Sequence, residues 1–439
     1  MAVALERALA AALAMTVFAF ASGSTIVNSI LIRGRPARWD CLFVLGALAV
    51  AYATVARPRL RLNGFLLLTI VLVAVAFASA FWSVDPWLTT RRAGAFAAVV
   101  VAGIGLFYGS RGRAESIRLL LLGLLAGMVA VAVAGLVVLA VAHEDAIQAA
   151  SYEYQARFRG FGQNPNTSAE LLAIGVPLAL LFVLEEGSRR ARVGAAVVAV
   201  LFATSIAASG SRGPMIAALL GSLVLVLARR VAWPRRLALA LLLAGAFLAA
   251  VVASQIPDPK TVPSSPTTVT RHVGRGVADA DRPPPRYVTP AAPVRRTLFS
   301  SSGRMEAWRG AVHKAEQRPL AGYGFGTEQL AFVDRYVAFE ADLPENSYIG
   351  AALQLGLVGL VLLLAIVAAA LAGFVQKVRR LTSAARPVAA ACAGAALSAL
   401  FLGLTQSYLF SVGNIATTSA WLCMFLLVAV TSAARNLRI

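Results

Sequence analysis

Charge is scarce in this sequence of 439 residues: Asp, Glu, Lys and Arg make up 14% of it, against about 25% in an average soluble protein. With so few charges there is no polar shell, while 59% of the residues are hydrophobic and lie in long runs rather than periodic stripes. The length by itself would predict about three soluble domains, and the apolar runs exclude that. Cysteine is nearly absent too. Cys41, Cys392 and Cys423 each lie in an apolar stretch with no CxxC spacing, which excludes a disulfide framework and reads as small buried hydrophobes. His143, His272 and His313 are scattered, so no protein metal site and no cofactor is expected. Acidic residues are half as numerous as basic ones, giving a formal charge of +20. That excess does not mark a nucleic-acid binder, because the arginines form short clusters between apolar runs rather than one face interleaved with aromatics. The opening Met1–Arg7 is too weakly charged, and the run after it too long, for a cleaved signal peptide.

What is present is a series of spans, at 8–31, 41–56, 64–82, 93–108, 117–142, 171–185, 195–209, 213–228, 237–254, 347–373, 388–406 and 415–432. Each is long enough to cross a bilayer or nearly so. The expected fold is an all-α polytopic integral membrane protein of about twelve transmembrane helices. Residues 1–254 carry helices 1–9, 255–346 form a large extracytoplasmic segment, and 347–439 carry helices 10–12. Arg57/Arg59/Arg61, Arg111/Arg113, Arg189/Arg190/Arg192, Arg229/Arg230/Arg235/Arg236 and Lys377/Arg379/Arg380 fall on alternate connections, with Arg435 and Arg438 on the same side. The positive-inside rule makes these, and both termini, cytoplasmic. Arg33, Arg35 and Arg38 violate it by landing outside as a loop. Most acidic residues fall outside as well, among them Asp85, Glu144, Asp145 and Glu153.

Residues 255–297 are rich in Pro, Thr and Arg and read as an irregular strap. In 302–340, Met305, Trp308 and Val312 share one helical face, and Leu330, Val333 and Val337 another. Two short amphipathic helices on the outer membrane surface are expected, joined by the glycine turn Gly322–Gly326. No internal repeat is present.

Four outward clusters carry polar chemistry, each with a plainer alternative. In Ser209-Gly-Ser211-Arg212-Gly-Pro214, Pro214 suits the first turn of the next helix and places Arg212 at its N-terminus. Free N–H groups and a guanidinium there form a phosphate clamp; the alternative is an arginine that snorkels to headgroups. Arg304 and Trp308 begin an amphipathic helix that Trp308 anchors at the interface, or they lie on a simple surface helix. Arg157-Phe-Arg159-Gly-Phe-Gly-Gln-Asn164-Pro-Asn166 offers arginines and asparagines to phosphate and sugar hydroxyls, or enters a helix with Asn166 or Thr167 as N-cap. In Asp342-Leu-Pro344-Glu345-Asn346-Ser-Tyr348, Glu345 reads as a first-turn carboxylate, either catalytic or complementing the helix dipole. A weaker fifth cluster is Trp82-Ser-Val-Asp85-Pro86 with Arg91 and Arg92.

In this order, WSVDP at 82–86, RFRGFGQNPN at 157–166, SRGP at 211–214, SGRMEAW at 302–308, PLAGYGFG at 319–326 and ENSYIGAALQLGLVGL at 345–360 resemble the O-antigen ligase family, which also holds polysaccharide polymerases. The resemblance implies a metal-independent glycosyltransferase in a bacterial cytoplasmic membrane. Its site would face outside and move a glycan from a polyprenyl pyrophosphate to a lipid- or glycan-linked acceptor hydroxyl. It puts the pyrophosphate on Arg212 and Arg304, with Glu345 where the family has a histidine base. Arg91, Arg159, Asn164, Asn166, Ser211, Trp308, Asn346 and Tyr348 become candidate substrate-binding residues. The partners implied are the carrier-linked donor, the acceptor and membrane lipids. Two rivals remain: a polymerase of the same family, and a transporter of the same lipid. A transporter would place charges within its spans and show related halves.

Overall fold

The computed structural model describes residues 2–57, 62–149, 156–185, 187–228, 304–332 and 343–433, with Pro234. The predicted span 237–254 and the strap 255–297 lie outside these residues, as do Val333 and Val337. Among the described residues the chain is helical but for one pair of two-residue strands, β1 (Ile147–Gln148) and β2 (Arg157–Phe158), antiparallel with Ile147 opposite Phe158. Nine described helices are long and apolar enough to cross a membrane, and two shorter apolar ones accompany them. In chain order they are α1 (Ala2–Ser22), α2 (Asn28–Ala56), α3 (Gly64–Ala78), α4 (Pro86–Ser110) and α5 (Ala114–Val141). The short α6 (His143–Ala146) precedes the strand pair, and α7 (Pro165–Leu184), α8 (Arg189–Ala208) and α9 (Arg212–Ala228) follow. After the undescribed stretch come α10 (Arg304–Glu316), α11 (Glu328–Ala331), α12 (Ser347–Lys377), α13 (Ala385–Leu402) and α14 (Thr417–Ala433). The chain is a multi-pass α-helical membrane protein.

Local chemistry starts the helices where the sequence places Asn or Asp before an apolar run. Asp85 and Asn164 each stand before a proline at the first helical position and accept hydrogen bonds from the freed N–H groups of α4 and α7. Asn63 and Asn346 cap α3 and α12 in the same way. Asn164, rather than Asn166 or Thr167, is therefore the cap of α7.

Side chains at the helix ends sort the bundle into two faces. At one, Glu6 Oε1 accepts from Tyr52 (2.7 Å), Arg113 (2.6 Å) and Ser116 (2.9 Å), joining the start of α1 to the end of α2 and the start of α5. At the opposite face, Arg38 Nη1 donates to the Gly413 carbonyl at 3.1 Å. This corrects two expectations. The first span does not run through 8–31, because α1 stops at Ser22 and α2 starts at Asn28. Gly34 then packs against the Ser22–Gly23 backbone, where a Cβ would collide. Arg33, Arg35 and Arg38 accordingly lie within the opening turns of α2 and are not a loop.

The expected continuous span 347–373 is also broken. Gly356, at φ 61° and ψ −157°, interrupts α12. A broken helix at membrane depth leaves backbone groups that only protein can satisfy. The Pro319–Gly326 turn does so: Leu357 N–H donates to the Pro319 carbonyl (2.7 Å), and Tyr323 and Gly324 N–H donate to the carbonyls of Leu353 (2.9 Å) and Gln354 (2.8 Å). The segment after α3 docks on the same turn, through Val84 N–H to Tyr323 O (3.0 Å) and Trp82 Nε1 to Ala321 O (2.9 Å). Three sequence motifs far apart in the chain are thus one unit. We expect Gly356→Ala to cost about 2 kcal/mol or more, since a Cβ there meets the Leu320 carbonyl. Gly46→Ala, facing open space inside α2, should be neutral or stabilising. Thermal unfolding of both purified variants checks the pair, and equal melting temperatures would refute the account of the kink.

Candidate active site

The polar face opposite Glu6 gathers most of the singled-out residues. α9 begins at Arg212, with Pro214 in its first turn as expected. Just ahead of it Ser211 is buried and bonds Asn166 Oδ1 at 2.7 Å. Arg157 fastens this corner: its Nε donates to Ser209 O (2.7 Å), and its Nη2 to Ser211 Oγ (2.8 Å) and Asn166 Oδ1 (3.1 Å). Arg159 sits elsewhere. It lies past the end of β2, whose last residue is Phe158, and its Nη2 bonds the carbonyls of Ile147 (2.8 Å) and Glu144 (3.3 Å). Of the two arginines, Arg157 is therefore the one at Arg212's corner. Asn164 spends its side-chain oxygen on the cap.

Arg304 opens α10, and its guanidinium grips Glu345, with Nε at 3.0 Å and Nη2 at 2.6 Å from the same oxygen, Oε2. Both side chains are about one-fifth exposed, so the pair is half-buried and open to a ligand. Arg212 lies within electrostatic range of Arg304. Two guanidiniums that repel each other at a helix N-terminus form a place where an anion is favoured.

Glu345 is not in the first turn of α12. The helix starts at Ser347 with Asn346 as cap, and Glu345 precedes it at φ 50°. A non-glycine residue in that left-handed region costs on the order of 1 kcal/mol and persists only when its surroundings hold it. Arg304 holds the side chain, and Trp308 Nε1 holds the turn through Pro344 O at 2.9 Å. Trp308 thus fixes the Glu345 turn. Met305 and Val312 are exposed, while Ala307 and Ala311 pack with Phe332 and Leu353, because only small residues let α10 lie close on α12. Asn346 and Tyr348 are committed to the backbone: Asn346 Oδ1 caps Tyr348 and Ile349 N–H, and Tyr348 OH bonds Leu400 O at 2.8 Å.

Sequence reading missed two carboxylates. Glu170, on α7, is 2% exposed and lies near Asn414, in the electrostatic field of both Glu345 and Arg304. Its signal was an acid within an apolar run, four residues after Asn166. Glu328, on α11, accepts from Ser407 Oγ (2.6 Å) and Gln354 Nε2 (3.0 Å). Burial pushes its carboxyl up to about 7, against the opposing pull of those donors and Arg92. Ser407 in turn accepts from Asn346 N–H (3.0 Å), so Glu328 is tied to the Glu345 turn. Nothing in the local pattern of GFGTEQL announces it, since its partners are distant in sequence. Arg91 lies outside the Arg212–Arg304 corner and lines a separate cavity. Among the described residues no three His, Cys, Asp or Glu side chains come together as metal ligands.

Residues 196–364 match the family model described as O-antigen ligase, and this supports assigning the chain to that family. The matched stretch includes Arg212, Arg304 and Glu345. No curated protein matches the chain.

Proposed function

Proceeding from the O-antigen ligase family assignment, we propose that this protein is a metal-independent, inverting membrane glycosyltransferase. It moves a glycan from a polyprenyl pyrophosphate onto the hydroxyl of a lipid- or glycan-linked acceptor, at the outer face of a bacterial cytoplasmic membrane. The observation that carries the reading is the pairing of Arg212 and Arg304 beside the N-terminus of α9, with the Glu345 carboxylate already in the Arg304 fork. That carboxylate oxygen stands where a phosphate oxygen would bind.

When the donor arrives, its pyrophosphate competes for Arg304 and frees Glu345. The acceptor oxygen attacks the anomeric carbon and forms the new glycosidic bond. The carbon–oxygen bond to the carrier breaks, and its electron pair leaves with the polyprenyl pyrophosphate. The acceptor proton passes to Glu345, whose Oε1 makes no hydrogen bond among the described residues. Arg212, Arg304 and the dipole of α9 stabilise the charge growing on the leaving group. Arg157 holds Ser211 and Asn166 beside that position. One displacement inverts the anomeric configuration.

Glycan analysis of a deletion strain tests the assignment. Loss of attachment with accumulation of full-length carrier-linked polymer is expected. Accumulation of single repeat units would replace the ligase by a polymerase, and carrier-linked glycan stranded on the cytoplasmic face would replace both by a transporter.

A further inference from the structure

The Arg212–Arg304 corner leaves a second set of guanidiniums on the same face unexplained. A cavity of about 700 Å³ is lined by Arg38, Arg91, Arg92, Glu328, Leu343 and Asn414. These arginines come from the opening turns of α2 and α4, more than 50 residues apart in sequence. Two are braced by protein: Arg38 Nη1 on the Gly413 carbonyl, and Arg92 Nη1 on the Gly326 carbonyl. Gly326, at φ 78°, is glycine because Arg92 packs where its Cβ would be. Arg38 Nε is buried yet has no hydrogen-bond partner among the described residues. A guanidinium N–H shut away from water without an acceptor is costly, and an anionic ligand would supply the missing acceptor. Three guanidiniums face one carboxylate, and both oxygens of that carboxylate are already taken by Ser407 and Gln354. The cavity therefore carries an uncompensated positive charge. One of its walls is Phe43, 62% exposed on the membrane-spanning α2, so the cavity is flanked by a surface that faces acyl chains. A ligand that suits both parts has a phosphate and an apolar tail.

The cavity also adjoins the Arg304 corner. Leu343 lines it, and two residues on Glu345 is held by Arg304. Asn414 lines it as well and lies near Glu170, which is in the field of Glu345. We propose that this cavity is a second lipid-phosphate site, in which Arg38, Arg91 and Arg92 hold the phosphate of the lipid-linked acceptor while its hydroxyl reaches Glu345. The proposal rests on the donor site assigned above to Arg212 and Arg304.

Native mass spectrometry of the purified protein with a short-chain polyprenyl phosphate as probe tests it. Wild type should bind two copies, and Arg38→Gln/Arg91→Gln one, with the second weakened at least tenfold. Arg91 is exposed at the cavity rim, so Arg91→Glu alone provides a variant that keeps the fold and should show the same loss. A single copy on wild type, or two copies on both variants, overturns the proposal. Displacement of the cavity copy by equimolar dioleoylphosphatidylglycerol would also overturn it, marking a phospholipid headgroup site. Arg304→Ala separates the two readings. It should lose the other copy and keep the one in the cavity; if it keeps both while the cavity variants lose one, the donor assignment fails and the cavity site stands.

Discussion

Arg304→Ala is expected to reduce transfer at least 10²–10³-fold, the usual loss on removing one preorganised group from a developing negative charge. The loss should exceed that of an ordinary phosphate contact because Arg304 acts twice. It binds the pyrophosphate in the reading above, and before that it holds Glu345 through two bonds to Oε2, at 3.0 and 2.6 Å. Without it, the strained Glu345 backbone at φ 50° loses the hold on its side chain and keeps the Trp308 bond to Pro344 and the Ser407 bond to Asn346. Lysine should recover little, since an ammonium is a point charge and does not reproduce the Nε/Nη2 fork. Arg212→Ala should lose transfer comparably, whereas Arg159→Ala, whose guanidinium serves the carbonyls of Glu144 and Ile147, should act through stability instead. Transfer measured at matched expression, with thermal unfolding as control, decides the matter: near-normal turnover by Arg304→Ala and Arg212→Ala would falsify the clamp.

Glu345→Gln is expected to cost 10²–10⁴ in rate, the range of general-base catalysis, with donor binding preserved. The amide oxygen still accepts from Arg304 and keeps the turn in place, so the variant removes proton affinity and little else. Glu345→His should retain partial activity, because imidazole also accepts a proton near neutral pH. The alternative is that Glu345 only positions Arg304. Glutamine would then sustain wild-type turnover, and that result in a purified transfer assay would remove Glu345 from the proton path. Dipole complementation is a weaker alternative than the sequence implied, since the residue lies before the cap of α12 rather than in its first turn.

The parts of this protein that sequence determined are those set by energies local to the chain. Moving an apolar run from water into lipid depends on its own side chains, so the helical membrane class and most span positions could be read directly. The same holds for Asp85-Pro86 and Asn164-Pro165, where a side-chain acceptor and a fixed φ start a helix within three residues. Arg212 and Arg304 could be singled out because a cation at the head of an apolar or amphipathic run is visible in one window. Tertiary structure decided the rest, because the partners come from remote segments. Arg38 meets Gly413 across 375 positions, so one arginine of a cluster that read as a misplaced loop became part of a cavity wall. The break at Gly356 exists because the 319–326 turn, about 30 residues or more earlier, supplies its hydrogen bonds. The choice between Arg157 and Arg159 turned on what each guanidinium meets in space, Ser209 and Ser211 for one and the carbonyls of Ile147 and Glu144 for the other. Glu328 became visible only once packing buried it among Ser407, Gln354 and Arg92, whereas Glu170 carried a sequence signal as an acid within an apolar run. Hydrophobic transfer is summed along the chain, whereas hydrogen bonds and buried charges are satisfied in space, and this active-site face is built from the second kind of term.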